Sequence, residues 1–129
     1  MKFFKCKICG KVIEVLEDTG LPTICCGQEM MELIPCSTDG AHERHVPVFT
    51  QNGNTVHVKV GEDDHPMMQE HYIQWIAIES DRGFQRKNLK PGQKPMANFV
   101  LLQGEEVKAV YAYCNLHLLW MLTVDQSCC

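Results

Sequence analysis

The chain has 129 residues, eight of them Cys and six His, and a formal charge of −4; that length makes one domain or two small ones, and a segment below about 40 residues seldom folds without a metal or disulfide. The negative charge speaks against a general nucleic-acid binder, whose phosphate contacts need a basic surface, and no apolar run is long enough for a membrane-spanning helix. With no charged-then-apolar leader, the expected location is the cytoplasm, where clustered cysteines bind metal more often than they form disulfides.

In chain order, residues 1–36 hold only short apolar stretches, Lys11–Leu16 and Met30–Ile34, around two cysteine pairs. That is too little for an independent core. The small, polar Cys36-Ser37-Thr38-Asp39-Gly40 reads as a linker. From residue 37 onward the signals are for strands. Val46–Thr50 comes first, with Pro47 marking an edge or a strand start. Asn52-Gly53 is a hairpin-turn candidate, and Thr55–Val60 alternates strictly. Further runs at His71–Glu79, Asn98–Gln103, Val107–Tyr113 and Leu118–Val124 are rich in β-branched, aromatic and other apolar residues. Periodicity alone leaves a buried helix open for the last of them. Six or seven short strands over this length predict a mainly β chain: a small metal domain, 1–36, then an antiparallel sandwich of immunoglobulin-like architecture, 37–129.

Cys6-Lys7-Ile8-Cys9-Gly10 is a metal knuckle: two intervening residues let both sulfurs face one ion, and Gly10 permits the left-handed backbone that aims amides at sulfur. Cys25-Cys26-Gly27 completes a four-thiolate set, although adjacent side chains tend to diverge on an extended backbone. Spacing leaves the ion open. Zinc satisfies a tetrahedral thiolate cage as well as iron does, and iron would make the cage a one-electron relay.

The second constellation is His45, His65, His71, Cys114 and His117. Cys114-Asn115-Leu116-His117 brings thiolate and imidazole together across a turn, His65-Pro66 lies in a loop, and His45 and His71 stand where strands are expected to open. Strand ends and loops gather at one rim of a sandwich, where sheets fix the ligands and solvent reaches the metal. Five protein ligands suit an iron that keeps one position open. His42 and His57 are expected not to ligate; His57 shares the outer face of its strand with Thr55 and Lys59.

Cys6-x2-Cys9-x15-Cys25-Cys26, Glu43-Arg44-His45-Val46-Pro47, His65-Pro66-Met67, His71-Tyr72-Ile73-x-Trp75-Ile76 and Cys114-Asn115-Leu116-His117 together resemble the desulfoferrodoxin family of superoxide reductases, in the right order over nearly the whole chain. The resemblance implies a rubredoxin- or desulforedoxin-like domain with iron in four thiolates. It also implies a second iron with four equatorial imidazoles and an axial thiolate, a homodimer, and reduction of superoxide to hydrogen peroxide with a rubredoxin-like or flavin-dependent donor restoring the reduced state. Glu43 is the carboxylate that the family implies at the open face, and Arg44 stands where the family commonly has Lys. Leu118 stands where Gly is common. Cys36, Cys128 and Cys129 match no functional motif. Two rivals remain on sequence: a rubredoxin-like electron carrier whose second metal is structural, and a zinc-ribbon module joined to an interaction domain.

Overall fold

The computed structural model describes residues 1–36, 45–61 and 65–124. The chain divides into two compact units, Met1–Ile34 and Pro35–Cys129. None of the described residues forms a helix long and apolar enough to cross a membrane.

In the first unit, β1 (Lys2–Lys5) pairs antiparallel with β2 (Val12–Val15) on one side and β5 (Met31–Glu32) on the other. A separate hairpin joins β3 (Ile24–Cys25) to β4 (Gln28–Glu29). Its buried apolar side chains are few: Phe3, Cys6, Met30 and Leu33. Burial of this size offsets only a small part of the backbone entropy of ordering 34 residues, so the cysteine cluster must supply the rest.

The second unit is a sandwich of two antiparallel sheets. One has the order β10 (Met96–Val100), β7 (Thr55–Val60), β6 (Pro47–Asn52); the other has β12 (Leu118–Thr123), β11 (Val107–Cys114), β8 (Ile73–Ser80), β9 (Phe84–Asn88). The alternation expected in β7 is present: Val56, Val58 and Val60 are buried, with Thr55, His57 and Lys59 on the outer face. These valines and Phe99 meet Ile73, Ile76, Ile78, Val110 and Ala112 of the opposite sheet to form the core. Of the run at 118–124, Leu118–Thr123 is a strand, paired along its length with β11.

Several local features depart from the sequence expectation. The β6–β7 turn is centred on Gly53-Asn54, one residue later than Asn52-Gly53, because Asn52 still pairs with Thr55. Gly53 alone carries the positive φ, 62°, as a two-residue turn with glycine in first position requires. His45 and His71 lie just before their strands, which begin at Pro47 and Ile73. The strand β9, sequence FQRKN, gives no apolar alternation because it is an exposed edge strand. Leu118 follows the three-residue turn 115–117 with φ 67°, the left-handed position that closes such turns and that glycine occupies without cost. A leucine there is strained by about 1 kcal/mol.

Candidate metal centres

The cysteines of the first unit converge. Cys6, Cys9, Cys25 and Cys26 place their sulfurs within 4.8 Å of one another. Cys9 Sγ lies 3.7 Å from Cys25 Sγ, which lies 3.9 Å from Cys26 Sγ. Four thiolates arranged tetrahedrally about an ion at about 2.3 Å are about 3.8 Å apart, so the cage fits a metal of that kind. The adjacent pair manages this because it sits in a hairpin turn: Cys25 pairs with Gln28, and both turn residues, Cys26 (φ 53°) and Gly27 (φ 74°), are left-handed. Two positive φ values in a two-residue loop are the hallmark of the primed turn that matches strand twist.

Electrostatics agree with the geometry. The backbone amides of Cys9 and Ile8 pull the Cys6 thiol down to about 6; the Cys9 amide is 3.4 Å from its sulfur. Hydrogen bonding with Cys6 and Cys9, and then with Cys25, pushes Cys26 up to about 12, while Cys9 and then Cys6 raise Cys25. Thus one sulfur is readily ionised and its neighbours resist sharing the site as anions. A bound cation removes that repulsion.

In the second unit, His45, His65, His71 and Cys114 place ligand atoms within 4.8 Å of one another. His117 joins them: its Nδ1 is 3.0 Å from His45 Nε2 and 3.8 Å from Cys114 Sγ. Two nitrogens at right angles about an ion at about 2.1 Å are about 3.0 Å apart, which the histidine pair matches. The imidazole rings of His65 and His71 are 4.9 Å apart and those of His71 and His117 5.1 Å apart, each pair edge-to-face. His57 is held away from this cluster by Asn98 Oδ1, 2.6 Å from its Nδ1. His42, Glu43, Arg44, Cys128 and Cys129 lie outside the described residues.

Backbone devices aim these ligands. Tyr113 pairs with Trp75 but Cys114 with Ile73, so Gln74 is an extra residue, a bulge in β8 opposite the end of β11. Such a bulge re-aims side chains of the strand that carries it, here β8 just after His71, while β11 is buried at every position from Ala109 to Cys114, with Cys114 at 0% exposure. His65 Nδ1 is 2.8 Å from the Pro66 carbonyl oxygen. A carbonyl can only accept, so the proton sits on Nδ1 and the buried Nε2 carries the lone pair that a metal needs. His71 is fixed by reciprocal backbone bonds with Met68, both 3.0 Å.

Two positioning residues escaped the sequence reading. Asn115 accepts from the Tyr72 amide at 2.9 Å and donates to the Glu70 carbonyl at 3.1 Å, tying the Cys114–His117 turn to the segment bearing His71. Trp120 stacks on His45, with centroids 4.5 Å apart and planes at 15°, and its Nε1 donates to the His117 carbonyl at 2.9 Å. Their only signal in sequence is proximity to the Cys-x2-His turn. Replacing Asn115 with Ala removes both side-chain bonds, and metal retention at this cluster is expected to fall about 10- to 100-fold while the four-cysteine cage is unaffected. Competitive chelation of the two sites in the purified variant measures it.

Comparison with known proteins agrees with both clusters. Residues 37–123 match the desulfoferrodoxin family model and residues 1–34 the model for the desulfoferrodoxin N-terminal domain. A desulfoferrodoxin homolog of Archaeoglobus fulgidus is 44% identical over 120 residues, covering 93% of this chain and 94% of that protein. Desulforedoxin of Megalodesulfovibrio gigas is 45% identical over 29 residues, 22% of this chain and 78% of its own. Among solved structures, the superoxide reductase from Treponema pallidum superposes with a TM-score of 0.82 at 30% identity, covering 95% of this chain and 97% of that one. The four-cysteine cage and the histidine and cysteine cluster correspond to the two iron centres of desulfoferrodoxin. The chain belongs to the desulfoferrodoxin family.

Proposed function

We propose that the chain is a superoxide reductase: superoxide gains one electron and two protons and leaves as hydrogen peroxide, and an external donor restores the reduced protein. The observation that carries this is the convergence of four imidazoles and one thiolate at the sandwich rim. Ferrous iron in such a set, backed by sulfur and with one position open, supplies the electron. The match to the Treponema pallidum superoxide reductase over nearly both full chains supports the same activity.

His45, His65, His71, His117 and Cys114 are the proposed ligands of that iron, and Cys6, Cys9, Cys25 and Cys26 those of the other. Cys114 is fully buried whereas His117 is exposed, so sulfur lies on the protein side and solvent reaches the cluster past the histidines. The Pro66 carbonyl keeps His65 in the ligating tautomer, and Trp120 restrains His45 and His117 together. Glu43 and Arg44, next to His45 in sequence, are the proposed catalytic side chains. Arg44 draws the superoxide anion within a Debye length of about 8 Å despite the negative net charge, and Glu43 offers a carboxylate that covers the open face after peroxide departs. Protons arrive through water. The donor is a rubredoxin-like or flavin-dependent protein, and the assembly a homodimer.

Rapid mixing of reduced protein with superoxide tests this by product count. One peroxide per superoxide is the expected yield. One per two means dismutation and refutes the proposal.

A further inference from the structure

We propose that Lys87 and Lys94 flank a docking face for an acidic electron-transfer protein, which delivers the reducing electron beside the histidine and cysteine cluster. This rests on the chain being a reductase that needs an outside donor. Charge is distributed very unevenly here: residues 82–94 contain five of the chain's 12 Lys and Arg residues and none of its 16 Asp and Glu residues. Lys87 on β9 and Lys94 after the following turn are both exposed and border one open groove of about 340 Å³, with Leu89, Met96 and Ala97 also in its lining. The turn between them is closed by Gln93, whose amide donates to the Lys90 carbonyl at 3.1 Å and whose side-chain oxygen accepts from the Lys90 amide at 2.8 Å. Lys87 Nζ is further held 5.7 Å over the Phe99 ring.

This segment is fastened to the elements that carry the ligands. The Gly92 amide donates to the Met67 carbonyl, and the Leu89 amide to the Gln74 carbonyl, each at 2.8 Å. Met67 is two residues from His65 and Gln74 three from His71. A charged border around a small apolar patch is the pattern of a fast, weak, electrostatically steered complex. A small hydrated anion gains nothing from the apolar lining, and an extended polyanion would meet the acidic remainder of the chain. A compact acidic protein matches both features. The transfer itself balances simply: the donor loses one electron, the centre gains it, and no bond or proton changes hands.

Reduced rubredoxin serves as the probe, mixed with the oxidised full-length chain carrying Lys87→Gln and Lys94→Gln together, with Lys108→Gln as a control. Loss of the visible absorption of each oxidised centre is followed separately, and binding is measured by titrating rubredoxin amide resonances. At about 10 mM ionic strength the double variant is expected to bind about tenfold more weakly and to accept electrons at the histidine and cysteine centre about tenfold more slowly, with the difference vanishing near 0.5 M salt. Lys108→Gln leaves both unchanged. Superoxide consumption by the pre-reduced double variant stays within about twofold of the parent chain. An unchanged rubredoxin rate overturns the docking face, as does equal slowing with superoxide, which would mean small-anion steering. Entry through the four-cysteine centre at a rate indifferent to the two lysines also overturns it, as does heparin binding lost in the double variant while rubredoxin transfer is unaltered. Failure of the reductase proposal shows elsewhere, as absent peroxide from the parent chain.

Discussion

Replacing Cys114 with Ser is expected to lower the rate of superoxide reduction at least about a hundredfold while the four-cysteine centre keeps its visible spectrum. The magnitude follows from position. Weakening a partner of a metal ligand typically costs 10- to 100-fold, and Cys114 contributes a ligand atom itself, at 0% exposure where no water can replace the sulfur. Serine fits the volume but presents a hard, protonated oxygen where electron-rich sulfur stood. Stopped-flow mixing with superoxide reads the rate, and the absorption of the other centre in the same sample reports its integrity. An unchanged rate takes the sulfur out of the mechanism.

Metal removal from the first unit should unfold that unit. Its described core is limited to Phe3, Cys6, Met30 and Leu33, whereas thiolate-held metal contributes apparent free energies on the order of 10 kcal/mol in small domains. With Cys9→Ser, amides of β1 and β2 are expected to lose at least about a hundredfold of their hydrogen-exchange protection, while β8 and β11 exchange as before. Retained protection would show that the apolar contacts suffice. The same cage predicts a pH dependence whose sign is fixed. At pH 7 Cys6, drawn down to about 6, is mostly ionised, whereas Cys25 is raised and Cys26 stands at about 12, so both hold protons that an incoming ion must displace. Metal affinity therefore falls as pH falls, the Cys25 and Cys26 protons alone contributing about a hundredfold per pH unit, and proton release on metal addition measures the total.

Much of the architecture could be read from the chain because it is written in side-chain periodicity. Val56, Val58 and Val60 alternate with polar neighbours, and that alternation places His57 outside. The knuckle Cys6-Lys7-Ile8-Cys9 and the turn Cys114-Asn115-Leu116-His117 are local in sequence, so their chemistry is visible without a fold. What stayed hidden depends on backbone conformation or on contacts distant in sequence. The strand β9 has no buried alternation to announce it. The bulge beside Cys114 is a matter of register between β8 and β11, and the left-handed Cys26 is a matter of turn type. Asn115 reaches the Tyr72 amide, 43 positions away, and Trp120 the His45 ring, 75 positions away, and no single-chain pattern encodes such pairs.

Leu118, like Cys26, is a position where residue type and backbone disagree. A residue type that avoids positive φ sits at φ 67°, immediately after His117. Strain of this kind persists only where surrounding contacts hold it. Here those contacts are the β11–β12 ladder and the Trp120 bond to the His117 carbonyl.

The most direct measurement is the anomalous scattering of a crystal of the protein purified with its native metal, collected on both sides of the iron edge. One iron should lie among His45, His65, His71, His117 and Cys114, held by all five, with its remaining side facing solvent. Zinc in that place, an iron missing any of the five side chains, or a sixth protein ligand closing the solvent side would contradict a centre built to reduce superoxide.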